Sequence, residues 1–126
     1  INYDGTTLTE ITEKEGMAQP FYYWVPSIAP SGMAFVRSDK YPELNGGILA
    51  GSLKFQYVEH LKIENDKVVK REKLLDGIGR IRSIEQGPDG YIYVGVEGVG
   101  VVKIMEWFEY LGNFLYVYIL ILNFVK

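Results

Sequence analysis

Three cations on short β-like segments are the residues of this chain whose types and spacing could hold a small polyanion. Lys54 closes the string Gly51-Ser52-Leu53-Lys54, and Arg80 and Arg82 lie in Gly77-Ile78-Gly79-Arg80-Ile81-Arg82. Residues two apart on a strand project to the same face. Extended backbone over residues 79–85 would therefore aim both guanidiniums one way. A planar guanidinium takes a carboxylate through paired N–H donors and never loses its charge. Taken alone, an Arg-x-Arg pair is more often a solvated face lying beside carboxylates, so its context decides.

That context is an ordinary, mildly acidic chain. Its 126 residues suffice for one domain with a real core. They are 48% hydrophobic and 23% charged, with a net charge of −3. Such a balance suits neither a disordered segment nor a basic nucleic-acid binder. The absence of cysteine excludes disulfide scaffolds and thiolate metal sites, and leaves the redox compartment open. No signal peptide is visible and the chain opens on Ile1-Asn2-Tyr3-Asp4, so it reads like a piece of something longer.

The elements that must position the cations are strands. Fourteen glycines and five prolines punctuate runs of alternating apolar and polar residues, an all-β rhythm with no long helical period to compete. The alternation predicts strands over residues 21–25, 32–36, 47–53, 55–63, 68–73, 80–86, 91–96 and 100–104. Asn65-Asp66 and Pro88-Asp89-Gly90 carry turn chemistry between them. This spacing suits four-stranded meanders, the unit of a β-propeller blade. Residues 27–75 read as one blade and 80–104 as most of a second, with 1–20 as a long loop in which 9–13 could start a helical turn. Two blades cannot close a ring, so one sheet face and one edge would stay uncovered.

From Trp107 onward the composition shifts, and residues 114–122 are continuously apolar. A membrane helix wants about 20 such residues, and Glu109, Gly112 and Asn113 interrupt any longer window. A buried strand, a short membrane helix and a non-native tail all stay open for residues 106–126.

Several ordered motifs supply the missing context. Tyr23-Trp24-Val25-Pro26-Ser27-Ile28-Ala29-Pro30-Ser31-Gly32-Met33 is followed by Gly51-Ser52-Leu53-Lys54. Gly79-Arg80-Ile81-Arg82 and Gly87-Pro88-Asp89-Gly90-Tyr91-Ile92-Tyr93 come next. Over residues 1–104 the chain resembles the C-terminal part of the soluble PQQ-dependent aldose sugar dehydrogenases, the glucose/sorbosone dehydrogenase family. The tail from Met105 does not match. The resemblance implies a six-bladed propeller that binds pyrroloquinoline quinone (PQQ) over its central channel. It implies oxidation of an aldose at C1 to the lactone, an external electron acceptor, and a periplasmic or secreted protein. Lys54 matches the family lysine at the quinone side, where an ammonium would stabilise developing negative charge. Arg80 and Arg82 match two cofactor-binding arginines, and Trp24 lies beside the aromatic position at the substrate mouth. The family's general-base histidine and its calcium ligands would lie upstream, so these residues alone should be inactive.

Other residues read more plainly. His60, within Tyr57-Val58-Glu59-His60-Leu61-Lys62, matches no family base and reads as structural. Asp39 with Glu43 suits a solvated turn better than a cation site, which needs six or more oxygens. Gly77-Ile78-Gly79 and Gly98-Val99-Gly100 lack the strand, loop and helix of a nucleotide site and suit strand-end turns or bulges. Tyr22, Tyr23 and Trp24 suit blade packing, with Trp24 as the exception that would meet sugar. Residues 64–73 read as an exposed, charge-laced blade edge. The alternative to an enzyme is a non-catalytic propeller module that binds a protein or glycan partner. Neither nucleic acid nor a membrane is expected as a partner, unless residues 107–125 reach a bilayer.

Overall fold

The computed structural model describes residues 2, 4–108 and 114–118, with side chains described for residue 2 and residues 4–105. The strands follow one another as β1 (Pro30–Phe35), β2 (Ile48–Ser52), β3 (Val58–Glu64) and β4 (Lys67–Leu74), then β5 (Ile81–Gln86), β6 (Ile92–Val96), β7 (Gly100–Phe108) and β8 (Phe114–Tyr118). They form two four-stranded antiparallel sheets, each in plain chain order. Turn chemistry sets the register. Asn65 and Asp66 take φ values of 50 and 58, the paired positive values that a two-residue type I′ hairpin turn requires. In the Pro88-Asp89-Gly90 reversal, the Gly87 amide bonds to the Tyr91 carbonyl at 2.8 Å.

Two expectations are corrected. Residues 21–25 are not a strand, although their aromatic and β-branched content suggests one. No sheet edge pairs with them, and Tyr22 and Trp24 instead dock on the outer face of the first sheet while Phe21, Tyr23 and Val25 stay exposed. Residues 55–57 belong to the β2–β3 turn, where Gln56 takes a φ of 60, so β3 starts later than predicted. Residues 4–29 form neither helix nor strand, including 9–13. In the tail, residues 114–118 pair antiparallel with β7 as a strand, and residues 109–113 and 119–126 lie outside the described residues. Among the described residues, no helix is long and apolar enough to cross a membrane.

The sheets stack face to face through β1, β2 and β5. Leu49, Val58 and Leu74 of the first sheet meet Ile81, Ile84 and Val94 of the second, all buried. Each such side chain contributes roughly 1.5–3 kcal/mol. Close approach depends on glycine. A Cβ on Gly51 would collide with the Ser31 carbonyl and the Ile81 side chain. Gly51→Ala should therefore cost about 1–3 kcal/mol through overpacking, read as a lower urea midpoint; an unchanged midpoint would mean that β5 is free to shift.

Tyr41 ties the sheets together. Its buried hydroxyl donates to the Ile104 carbonyl at 2.6 Å and accepts from the Ile92 amide at 2.9 Å. Ile92 and Ile104 are register partners on β6 and β7, so a phenol from the β1–β2 connection caps a ladder pair in the second sheet. Burial pushes the Tyr41 pKa up to about 12, which keeps the hydroxyl protonated and able to donate.

His60, 3% exposed, sits mid-β3 against Gly47, as a structural residue would. Burial holds its pKa below the ordinary 6.5, against an opposing hydrogen bond to the Leu44 backbone. A depressed imidazole pKa means that the unfolded state binds the proton more readily than the fold does. Stability is then full above pH 6.5 and falls as pH drops from 6.5 toward the folded-state pKa. Urea midpoints measured between pH 7.5 and 5 should decline over that window, and His60→Gln should flatten the slope.

Candidate cofactor site

The stacking sets which side chains meet. The starts of β1 and β5 lie together, because the Ser31 hydroxyl donates to the Ile81 carbonyl at 2.5 Å. Their far ends also coincide, where Gln86 brackets the Arg37 backbone with bonds of 2.8 and 2.9 Å. The strands therefore run alongside each other. Trp24, the β2–β3 turn with Lys54, the start of β5 with its two arginines, and the β6–β7 turn with Glu97 all fall at one end of the stack.

The turn carrying Lys54 is held from several sides. Ser52, fully buried, donates its hydroxyl to the Ile28 carbonyl at 2.9 Å and accepts the Phe55 amide at 2.9 Å. The Lys54 amide bonds to the Ile28 carbonyl at 3.2 Å, and the Gln56 carbonyl accepts the Gly77 amide at 2.9 Å. That last bond fastens the Lys54 turn to the segment that leads into Arg80. The Lys54 ammonium lies 5.0 Å from the centre of the Phe55 ring, on the exposed side of the turn. Asp4 is close by. Hydrogen bonds from the Thr6 amide and hydroxyl chiefly hold the Asp4 carboxyl below its usual range, and the Lys54 charge adds to them.

The arginines flank buried Ile81. Arg80 precedes β5, and a register shift between Ile81 and Ser83 leaves Arg82 at a bulge, a device that re-aims a side chain. Both guanidiniums reach one acid. Arg80 Nε lies 3.7 Å from Glu97 Oε2, and an Arg82 terminal nitrogen donates to the same oxygen. The three side chains are about half exposed. Ion pairs at such positions are worth about 0–1 kcal/mol, so an arriving carboxylate could replace Glu97 at little cost.

Trp24 is half-buried. Its indole nitrogen donates to Glu59 Oε2, and Tyr22 stands edge-on to its ring at 5.0 Å and 85°. Tyr22 and Trp24 face the sheet, whereas Tyr23 is exposed. The structure thus brings Arg80 and Arg82 onto one carboxylate. It puts Lys54 at the same end of the neighbouring sheet, beside a different acid, and Trp24 on that sheet's outer face.

Residues 1–103 match the profile of the family described as Glucose / Sorbosone dehydrogenase. The chain belongs to the glucose/sorbosone dehydrogenase family. It is 41% identical over 97 residues to the aldose sugar dehydrogenase YliI of Escherichia coli K12, covering 75% of this chain and 26% of that protein. A Synechocystis protein, slr1608, is 36% identical over 83 residues, covering 66% of this chain and 20% of its own length. The crystal structure of a glucose dehydrogenase superposes with a TM-score of 0.60 at 36% identity, covering 72% of this chain and 25% of that one. The chain therefore spans about a quarter of the length of such relatives. Its two four-stranded sheets have the form of β-propeller blades, as in the solved glucose dehydrogenases that it resembles.

Glu97 and Glu59 escaped the sequence reading, because each pairing depends on a bulge that the turn positions do not reveal. The bulge between Ile81 and Ser83 shifts the β5–β6 register by one, so that the Glu97 amide bonds to the Arg80 carbonyl at 2.9 Å. The register shift between Lys62 and Ile63 sets Glu59 opposite Lys73 and diagonal to Arg71, whereas a plain hairpin centred on Asn65-Asp66 would set it opposite Glu72.

Proposed function

We propose that this chain is a portion of a PQQ-dependent sugar dehydrogenase that oxidises an aldose at C1 to the lactone. One observation carries the reading: two guanidiniums share a single exposed carboxylate oxygen at the sheet end where the Lys54 turn is fastened. The pairing of both arginines with Glu97 supports a role in receiving ligand carboxylates, of which PQQ bears three. The donor set fits. Arg80 and Arg82 would hold cofactor carboxylates, exchanging Glu97 for them. Lys54 would place its positive charge at the quinone side and steady negative charge that gathers there. Trp24 would offer its ring to the sugar. When bound, PQQ supplies the ortho-quinone that accepts hydride from C1 of the aldose.

The general base and the calcium ligands belong, in this reading, to the rest of a longer protein. Buried His60 cannot meet a sugar hydroxyl. An external electron acceptor and a periplasmic or secreted location complete the proposal, and both follow from the family alone.

The test is a PQQ titration, with calcium present, of a version extended to the relatives' full length. Saturable binding and aldose-dependent reduction of a dye acceptor are expected. No saturable PQQ binding would overturn the proposal in favour of a non-catalytic module. The 126 residues alone should turn over no aldose, and activity from them would contradict the assignment of the base and calcium to other parts.

A further inference from the structure

Glu59 is the most deeply buried acid in the described residues, at 2% exposure. A carboxylate removed from water is costly unless every partner is in place. Here Arg71 Nε and a terminal nitrogen donate to Oε1 at 3.0 and 2.8 Å, while the Trp24 indole donates to Oε2. Each oxygen therefore has its own donor. Arg71 in turn lies 5.7 Å from the centre of the Tyr22 ring, and Tyr22 stands edge-on to Trp24. The aromatic pair roofs a groove of about 710 Å³ over the outer face of the first sheet, lined also by Met33, Phe35, Ile48 and Leu61. Apolar contact alone would leave the indole free to rotate on that greasy floor. A directional bond from its nitrogen to a fixed carboxylate does not.

We infer that Glu59, braced by Arg71, is a positioning residue for sugar recognition: it fixes the orientation of the Trp24 indole against which the aldose packs. The inference rests on the reading of Trp24 as the aromatic at the substrate mouth. Glu59 touches neither sugar nor cofactor in this account and acts only through Trp24.

Steady-state kinetics of the full-length, PQQ-loaded protein test it. Trp24→Ala should raise the aldose KM about tenfold, the scale of a lost aromatic contact. Glu59→Leu combined with Arg71→Met removes both charges together, so that no buried charge is stranded. It should raise KM about fivefold while kcat falls less than twofold, the pattern of lost uniform binding. Glu59→Gln keeps an acceptor for the indole and should hold KM within about twofold of the parent. Adding Trp24→Ala to the Leu/Met pair should raise KM no further than Trp24→Ala alone. A purely structural role would lower melting temperature and active fraction but leave KM where it was. Parental KM in the Leu/Met pair, alongside a raised KM in Trp24→Ala, would overturn the role of Glu59 alone. Parental KM in Trp24→Ala would overturn both the platform and its anchor, and the PQQ affinity of that variant would report separately on the cofactor site.

Discussion

Replacing Arg80 and Arg82 together with alanine should weaken PQQ binding to the full-length protein by about a thousandfold. Each charge-assisted bond to a carboxylate is worth about 1.5–3 kcal/mol, and in the proposed site the pair would hold the ligand from one side. The loss is compounded because Glu97 keeps its charge beside the vacated site and would repel an anion. The fold should tolerate the change. Both side chains are half exposed and their shared ion pair stabilises little, so the urea midpoint should barely move. Glu97→Gln supplies the opposite sign, since removing the resident carboxylate should tighten PQQ binding a few-fold. Fluorescence titration with PQQ reads both affinities. Parental affinity in the doubly substituted protein, with its fold intact, would defeat the clamp assignment.

Lys54→Ala should lower kcat by about a hundredfold or more, the usual cost of removing one group that stabilises developing charge. Its effect on PQQ affinity should be much smaller, because in the proposed site the arginines would carry the binding. The turn should survive, since its backbone is held by Ser52, Ile28 and Gly77 rather than by the lysine side chain. Stopped-flow mixing of the loaded protein with aldose isolates the chemical step from release of product. A parental reduction rate in Lys54→Ala would remove the lysine from the chemistry and leave it as a surface cation.

Most of the strand plan was legible because period-two alternation and turn residues agreed. Asn65-Asp66 and Pro88-Asp89-Gly90 each produced the reversal that their backbone preferences favour. Residues 21–25 misled for an instructive reason. Tyr22, Trp24 and Val25 have strand propensity, but propensity supplies no partner edge. Trp24 found a buried carboxylate and Tyr22 a guanidinium, and those contacts decided the conformation. The arginine pair was visible as a pair, whereas its resident acid was not, because Glu97 becomes a neighbour only once the β5–β6 register is known. Residues 64–73 read as an exposed, charge-laced edge, and β4 is the edge strand of the first sheet. Arg71 departs from that picture by turning onto the sheet face to meet Glu59.

A structure of the full-length protein with PQQ bound would test the central claim most directly. The account predicts both guanidiniums of Arg80 and Arg82 within about 3 Å of ligand carboxylate oxygens, with Glu97 displaced from them and Lys54 facing the quinone. Arginines still paired to Glu97 while the cofactor occupies another part of the molecule would contradict it.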